Sequence, residues 1–249
     1  MSARTNVEAE RPPALRFDAV AKSYGHQLVL DGVGLTVPPG ELFGLVGLNG
    51  AGKTTLIKGL LDFSGLDGGR IEIFGVDHRR TAARARLAFL PERFNPPYFL
   101  TGRDFLTHMA DLHGQPYDAE RVLDVLEGLD LDPSALSKPA RTFSKGMSQK
   151  LGLAAALMSS RDLFVLDEPM SGLDPKARAL FKRKLLDLRE GGGTIFFSTH
   201  LLSDVEDLCD RMAILHEGRV RFVGTPGECC RRYDAFTLEQ AFLHAISPI

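Results

Sequence analysis

Only three cysteines, Cys209, Cys229 and Cys230, occur in the 249 residues. They form neither an even disulfide framework nor a metal-ligand spacing, which suits a reducing compartment. The adjacent pair Cys229-Cys230 reads as two small residues packed in a helix. No window approaches the ~20 consecutive apolar residues that a membrane span requires. Met1 to Pro13 is polar and proline-containing, without the apolar stretch of a signal peptide. These absences predict a disordered segment over residues 1–13 and a cytoplasmic protein that reaches a membrane only through a partner. Charge of either sign is not in excess: 30 Lys and Arg face 32 Asp and Glu, a formal net charge of −2. That balance lacks the basic surplus of chains that wrap nucleic acid. Internal repeats and low-complexity segments are also missing. What remains, 44% hydrophobic and 25% charged, is the composition of a chain with a full core.

The most informative stretch present is Gly47-Leu48-Asn49-Gly50-Ala51-Gly52-Lys53-Thr54-Thr55. The apolar run Leu42 to Val46 before it reads as a buried strand, and Leu56 to Leu61 after it as the opening of a helix. Strand, G-x-x-x-x-G-K-[ST] and helix in that order describe a phosphate-binding loop. The glycines let the backbone curl round an anion, and the amide groups sit at the positive end of a helix dipole. Lys53 can then reach the outer phosphates, and the Thr54 hydroxyl can ligate Mg²⁺.

Other strand ends carry matching chemistry. Residues 14 to 37 read as small-sheet strands broken at Asp31-Gly32, with Tyr24 between them in a packing role or as a ligand contact. Leu87 to Leu90 is a strand closing on Pro91-Glu92, which puts a carboxylate where open α/β sheets bind ligands. Leu163 to Leu166 ends in Asp167-Glu168, and Thr194 to Ser198 ends in Thr199-His200. Asp167 is placed to hold a Mg²⁺ shell and Glu168 to orient or deprotonate water. His200, structural if it stood alone, gains a part in catalysis from the phosphate loop. Residues 93–159 read as an all-helical insert between strands. It opens on the aromatic loop Phe94 to Phe99, expected on the surface. A helix with a Thr101–Asp104 capping box follows, with Phe105, Leu106, Met109 and Leu112 on one face. In the helix after Pro175, Ala177, Phe181, Leu185 and Leu188 form the apolar stripe and Lys182 lies away from it. Residues 211–223 read as a hairpin, and residues 225–249 as a largely helical tail.

These residues resemble the nucleotide-binding subunits of ATP-binding cassette (ABC) transporters over about residues 14–224. Gly47 to Thr55 is similar to the Walker A motif and Leu163 to Glu168 to Walker B with its glutamate. Ser144, Lys145, Gly146 and Met147, preceded by Phe143, look like the LSGGQ signature. Ser171 to Asp174 is similar to the D-loop, His200 to the switch histidine, and Tyr24 to the aromatic that stacks on adenine. The resemblance implies an α/β phosphate-loop core with an antiparallel β-subdomain and an inserted helical subdomain. It also implies ATP and Mg²⁺ as ligands, and ATP sandwiched between one subunit's Walker A and a second subunit's signature. A separately encoded multi-span permease would dock around Phe94 to Tyr98, and the activity implied is that of an ATPase serving an exporter. Two positions depart from the family pattern: Glu92 stands where glutamine is usual, and Lys145 where glycine is. Two further readings are a cassette that signals mechanically through a membrane partner, and a soluble cassette acting on DNA or ribosomes. The net charge disfavours the latter.

Overall fold

The computed structural model describes residues 12–247. The expected disordered segment, residues 1–13, therefore falls outside the described residues apart from Pro12 and Pro13. Ten strands are described in chain order: β1 (Leu15–Tyr24), β2 (Gln27–Val37), β3 (Leu42–Val46), β4 (Gly68–Ile73), β5 (Val76–Asp77), β6 (Leu87–Leu90), β7 (Leu163–Asp167), β8 (Thr194–Thr199), β9 (Arg211–His216) and β10 (Arg219–Gly224). The helices are α1 (Lys53–Leu60), α2 (Thr81–Arg84), α3 (Gly102–Leu112), α4 (Ala119–Gly128), α5 (Lys145–Met158), α6 (Pro175–Glu190), α7 (Leu202–Leu208), α8 (Pro226–Arg232) and α9 (Leu238–Ile246).

Two sheets result. The smaller is antiparallel in the order β2-β1-β4-β5, and the larger runs β10-β9-β3-β8-β7-β6. From β9 to β6 all pairings in the larger sheet are parallel. Every residue of β3, β7 and β8 is buried, because both faces are covered and the strands can be continuously apolar. On one face the core joins the sheet to α3, α4, α5 and α6 through Phe105, Leu126, Leu151 and Phe181. On the other it packs against α1 and the antiparallel sheet through Leu56, Phe17, Leu35 and Ile71. Between β6 and β7, which are neighbours in the sheet, the chain runs through α3, α4, two 3₁₀ turns and α5. The tail helices α8 and α9 cover the β9 side, with Cys229, Leu238 and Phe242 against Met212 and Ile214. Burial pushes the Cys229 thiol up to about 11, so it is packing and not a nucleophile.

The parallel sheet places four strand ends together. The chain leaves β3 for far strands on one side and returns from β8 to β9 on the other. Ligands of open α/β sheets gather outside the carboxyl ends at such a reversal.

Three expectations need correcting. β2 is one strand and not two: Gly32, at φ 66°, bends it where the register with β1 shifts at Val20↔Val33. Leu112 does not share the inward face of α3; it is 65% exposed, and Ala110 takes the buried position beside Phe105 and Leu106. Phe94 does not belong to an exposed aromatic loop. Its ring lies 5.5 Å from that of Phe105, over Gly152, where a Cβ would come within 2.6 Å of it. Tyr98 and Phe99 are the exposed aromatics of that loop, in edge contact at 5.4 Å.

Candidate functional site

The strand ends enclose a cavity of about 400 Å³, in the size range of small-ligand sites. Leu48, Asn49, Gly50, Ala51, Gly52, Lys53, Thr54 and Thr55 supply one wall; Val29, Glu92, Glu168, Ser171 and His200 complete it. The loop holds its shape through its glycines. Gly52, the N-cap of α1, sits at φ 107°, and a Cβ there would meet Leu30 at 2.9 Å and the Val29 carbonyl at 3.0 Å. Gly47 lies buried under the loop, where a Cβ would collide with the Leu215 carbonyl. No side chain caps α1, so its first N–H groups remain for a ligand at the positive end of the helix.

Lys53 is 6% exposed. Its ammonium donates to the carbonyls of Gly47 at 2.7 Å and Leu48 at 3.3 Å, and lies 3.4 Å from Glu168 Oε1. Glu168 Oε2 is 2.9 Å from His200 Nδ1. Its backbone, at φ 45°, occupies the left-handed region that non-glycine residues seldom enter. Asp167, 4% exposed, lies behind the rim and accepts a hydrogen bond from Ser198 Oγ at 2.5 Å. Cation, carboxylate and imidazole thus form one connected group at the cavity mouth.

No cluster of three or more His, Cys, Asp or Glu side chains among the described residues could hold a metal alone. Thr54 and Glu92 line the cavity, and Asp167 is buried beside Glu168, which lines it too. These are hard oxygen donors, the set Mg²⁺ takes when substrate phosphates complete its shell. The donor set fits Mg²⁺ and a polyphosphate together better than a metal alone.

Six expected residues lie elsewhere. Ser144 caps α5 through the Met147 N–H at 3.1 Å, and Asp174 caps α6 through the Ala177 N–H at 2.9 Å. Lys145 lies against the turn at Gly172, about 3.1 Å from where a Cβ there would stand. With Gly146 and Met147 these residues form a second polar patch that does not line the cavity. Tyr24 is exposed at the end of β1, its hydroxyl 3.3 Å from Ser64 Oγ. Ser171, read only as the start of the D-loop-like turn, lines this subunit's own cavity, and two residues were missed in the sequence: Val29 and Ser198. The only available signal was Ser198, a serine inside the apolar run of β8.

The family model of the ABC transporter matches residues 30–171. The chain belongs to the ABC transporter family. The Nod factor export ATP-binding protein I of Paraburkholderia xenovorans (strain LB400) is 38% identical over 217 residues, 86% of this chain and 71% of its own length. An uncharacterized ABC transporter ATP-binding protein of Synechocystis, sll0415, is 41% identical over 197 residues, 78% of this chain. This chain spans only 56% of that relative's length. A solved structure of an ATP binding subunit of an ABC transporter superposes with a TM-score of 0.85 at 30% identity, covering 93% of this chain and 99% of its own. The chain accordingly has the ABC ATPase fold and is an ATP-binding subunit of that family. No described helix is long and apolar enough to cross a membrane.

Proposed function

We propose that this subunit binds ATP with Mg²⁺ in the cavity and hydrolyses it as half of a head-to-tail pair, energising a permease of exporter type. The connected group Lys53–Glu168–His200 carries this reading. Lys53 turns from the loop carbonyls to the outer phosphates, while the free amides of α1 take the remaining phosphate oxygens. The Thr54 hydroxyl, Asp167 and Glu92 would hold Mg²⁺, which when bound would supply positive charge against the phosphates. Glu168 accepts a hydrogen bond from the attacking water, and His200 keeps that carboxylate aimed. Tyr24 offers its exposed ring to the base.

Ser144 to Met147 and Asp174 stand apart from this subunit's own cavity, which favours their service to a partner's ATP. There the N-terminus of α5, 14 residues long, presents its dipole to the outer phosphate. In this reading residues 14–224 are the ATPase domain, 93–159 its helical subdomain and 225–249 a tail. The permease meets an apolar groove of about 260 Å³ lined by Phe63, Phe89, Phe94 and Met109, with Tyr98 and Phe99 exposed on the loop that follows Phe94. The pair stays on the inner face of the cell membrane through that contact. The export role printed for the Paraburkholderia relative supports the direction of transport, and the balanced charge argues against a nucleic-acid partner. Glu168→Gln with MgATP is the test. The variant is expected to bind ATP, elute as a dimer in size-exclusion chromatography and lose turnover. Turnover at the parental rate, or a monomer at saturating MgATP, overturns the reading.

A further inference from the structure

One hydroxyl joins the two strands that carry the proposed chemistry. Ser198, fully buried in β8, sits opposite Asp167 of β7 in the parallel register. Its Oγ donates to Asp167 Oδ1 at 2.5 Å and accepts the Glu168 N–H at 3.0 Å. The hydroxyl's single proton is committed to Asp167, so the bond from Glu168 uses a lone pair. The first bond fixes one Asp167 oxygen and leaves the other for a ligand.

The second bond falls where β7 ends. At Glu168 the backbone turns into the left-handed region, φ 45°, and its amide is satisfied by Ser198 Oγ. That turn swings the Glu168 side chain to Lys53 and His200. Ser198 lies in β8 and His200 just past its end. Glu168 is therefore held twice from this stretch of chain, its backbone by Ser198 and its side chain by His200.

We infer that Ser198 is a positioning residue for hydrolysis, orienting Asp167 towards the metal and stabilising the strained turn that aims Glu168. The inference rests on the roles given above to Asp167 and Glu168, and Asp167→Asn and Glu168→Gln are run beside it as controls. Hydrogen-bonded partners of metal-ligating carboxylates typically matter by about 10–100-fold in metal affinity or activity. Ser198→Ala is expected to lower kcat by about that factor with little change in KM for ATP. It is also expected to raise the Mg²⁺ concentration needed for half-maximal binding of a fluorescent ATP analogue by about tenfold. Affinity for the analogue in EDTA, which does not use Asp167, should remain parental. Ser198→Thr keeps the hydroxyl and should restore the Mg²⁺ midpoint; if the added methyl unfolds it, the comparison of Mg²⁺ with EDTA in Ser198→Ala still decides. A parental kcat and Mg²⁺ midpoint in Ser198→Ala, with both controls inactive, sinks the inference and leaves the active-site reading standing. Equal losses with Mg²⁺ and in EDTA also overturn it, because general damage to the fold would do that. Parental turnover in both controls would instead remove the reading on which the inference stands.

Discussion

At the scale of single residues the site is a set of charges neutralised by one another. Lys53 is held by two carbonyls and Glu168, and Glu168 in turn by His200. A phosphate entering the cavity competes with those partners for the same ammonium. Glu92 is the less usual member, a carboxylate on the cavity wall. A carboxylate attracts a divalent cation more than an amide does and repels phosphate more. Glu92→Gln is therefore expected to move the Mg²⁺ midpoint of ATPase activity upward by a few fold, by roughly 0.5–1 kcal/mol on the tenfold-per-1.4-kcal/mol scale. An unchanged Mg²⁺ titration would mean that Glu92 does not address the metal. The glycine-rich loop and the acidic strand ends were legible because each is a local pattern, an apolar run that stops at a polar residue. Ser198 was not: its partners lie about 30 residues away in sequence, and only the pairing of β7 with β8 brings them together.

At the scale of elements the loop 94–99 divides into two functions. Phe94 packs inward on Phe105 and Gly152, while Tyr98 and Phe99 stay outside. Complete truncation of a buried Phe costs about 3–5 kcal/mol, so Phe94→Ser, only part-buried, should destabilise by roughly 1–3 kcal/mol in urea denaturation. Tyr98→Ser with Phe99→Ser should leave stability within about 0.5 kcal/mol. That double variant should still lose permease binding in a membrane pull-down while keeping basal ATPase activity. The sequence read the whole loop as exposed because proline and aromatic content signal a surface loop. Which ring turns inward depends on a gap at Gly152, nearly 60 positions downstream. The error at Leu112 is similar: the helical period was right, but Leu112 is the last residue of α3 and stays exposed while Ala110 turns inward. The capping box at Thr101 and Asp104 was visible because both its bonds are local.

At the scale of the whole molecule, the α/β class followed from the alternation of buried strands and helices, whereas the antiparallel subdomain came only from the resemblance, since β4 and β5 join β1 and β2 from beyond the phosphate loop. The order in which the parallel strands sit was not legible, since periodicity marks strands without pairing them. The feature with the widest reach is the separation of the Ser144–Met147 patch from the cavity of its own chain. On the proposed head-to-tail reading, an isolated molecule owns only part of a reaction chamber, and catalysis becomes a property of encounter. Specific ATPase activity of the dilute subunit should climb with protein concentration before levelling off. Adding excess subunits disabled at Ser144 should poison wild-type subunits in proportion to the mixed pairs formed. A specific activity independent of dilution would mean that one copy works alone.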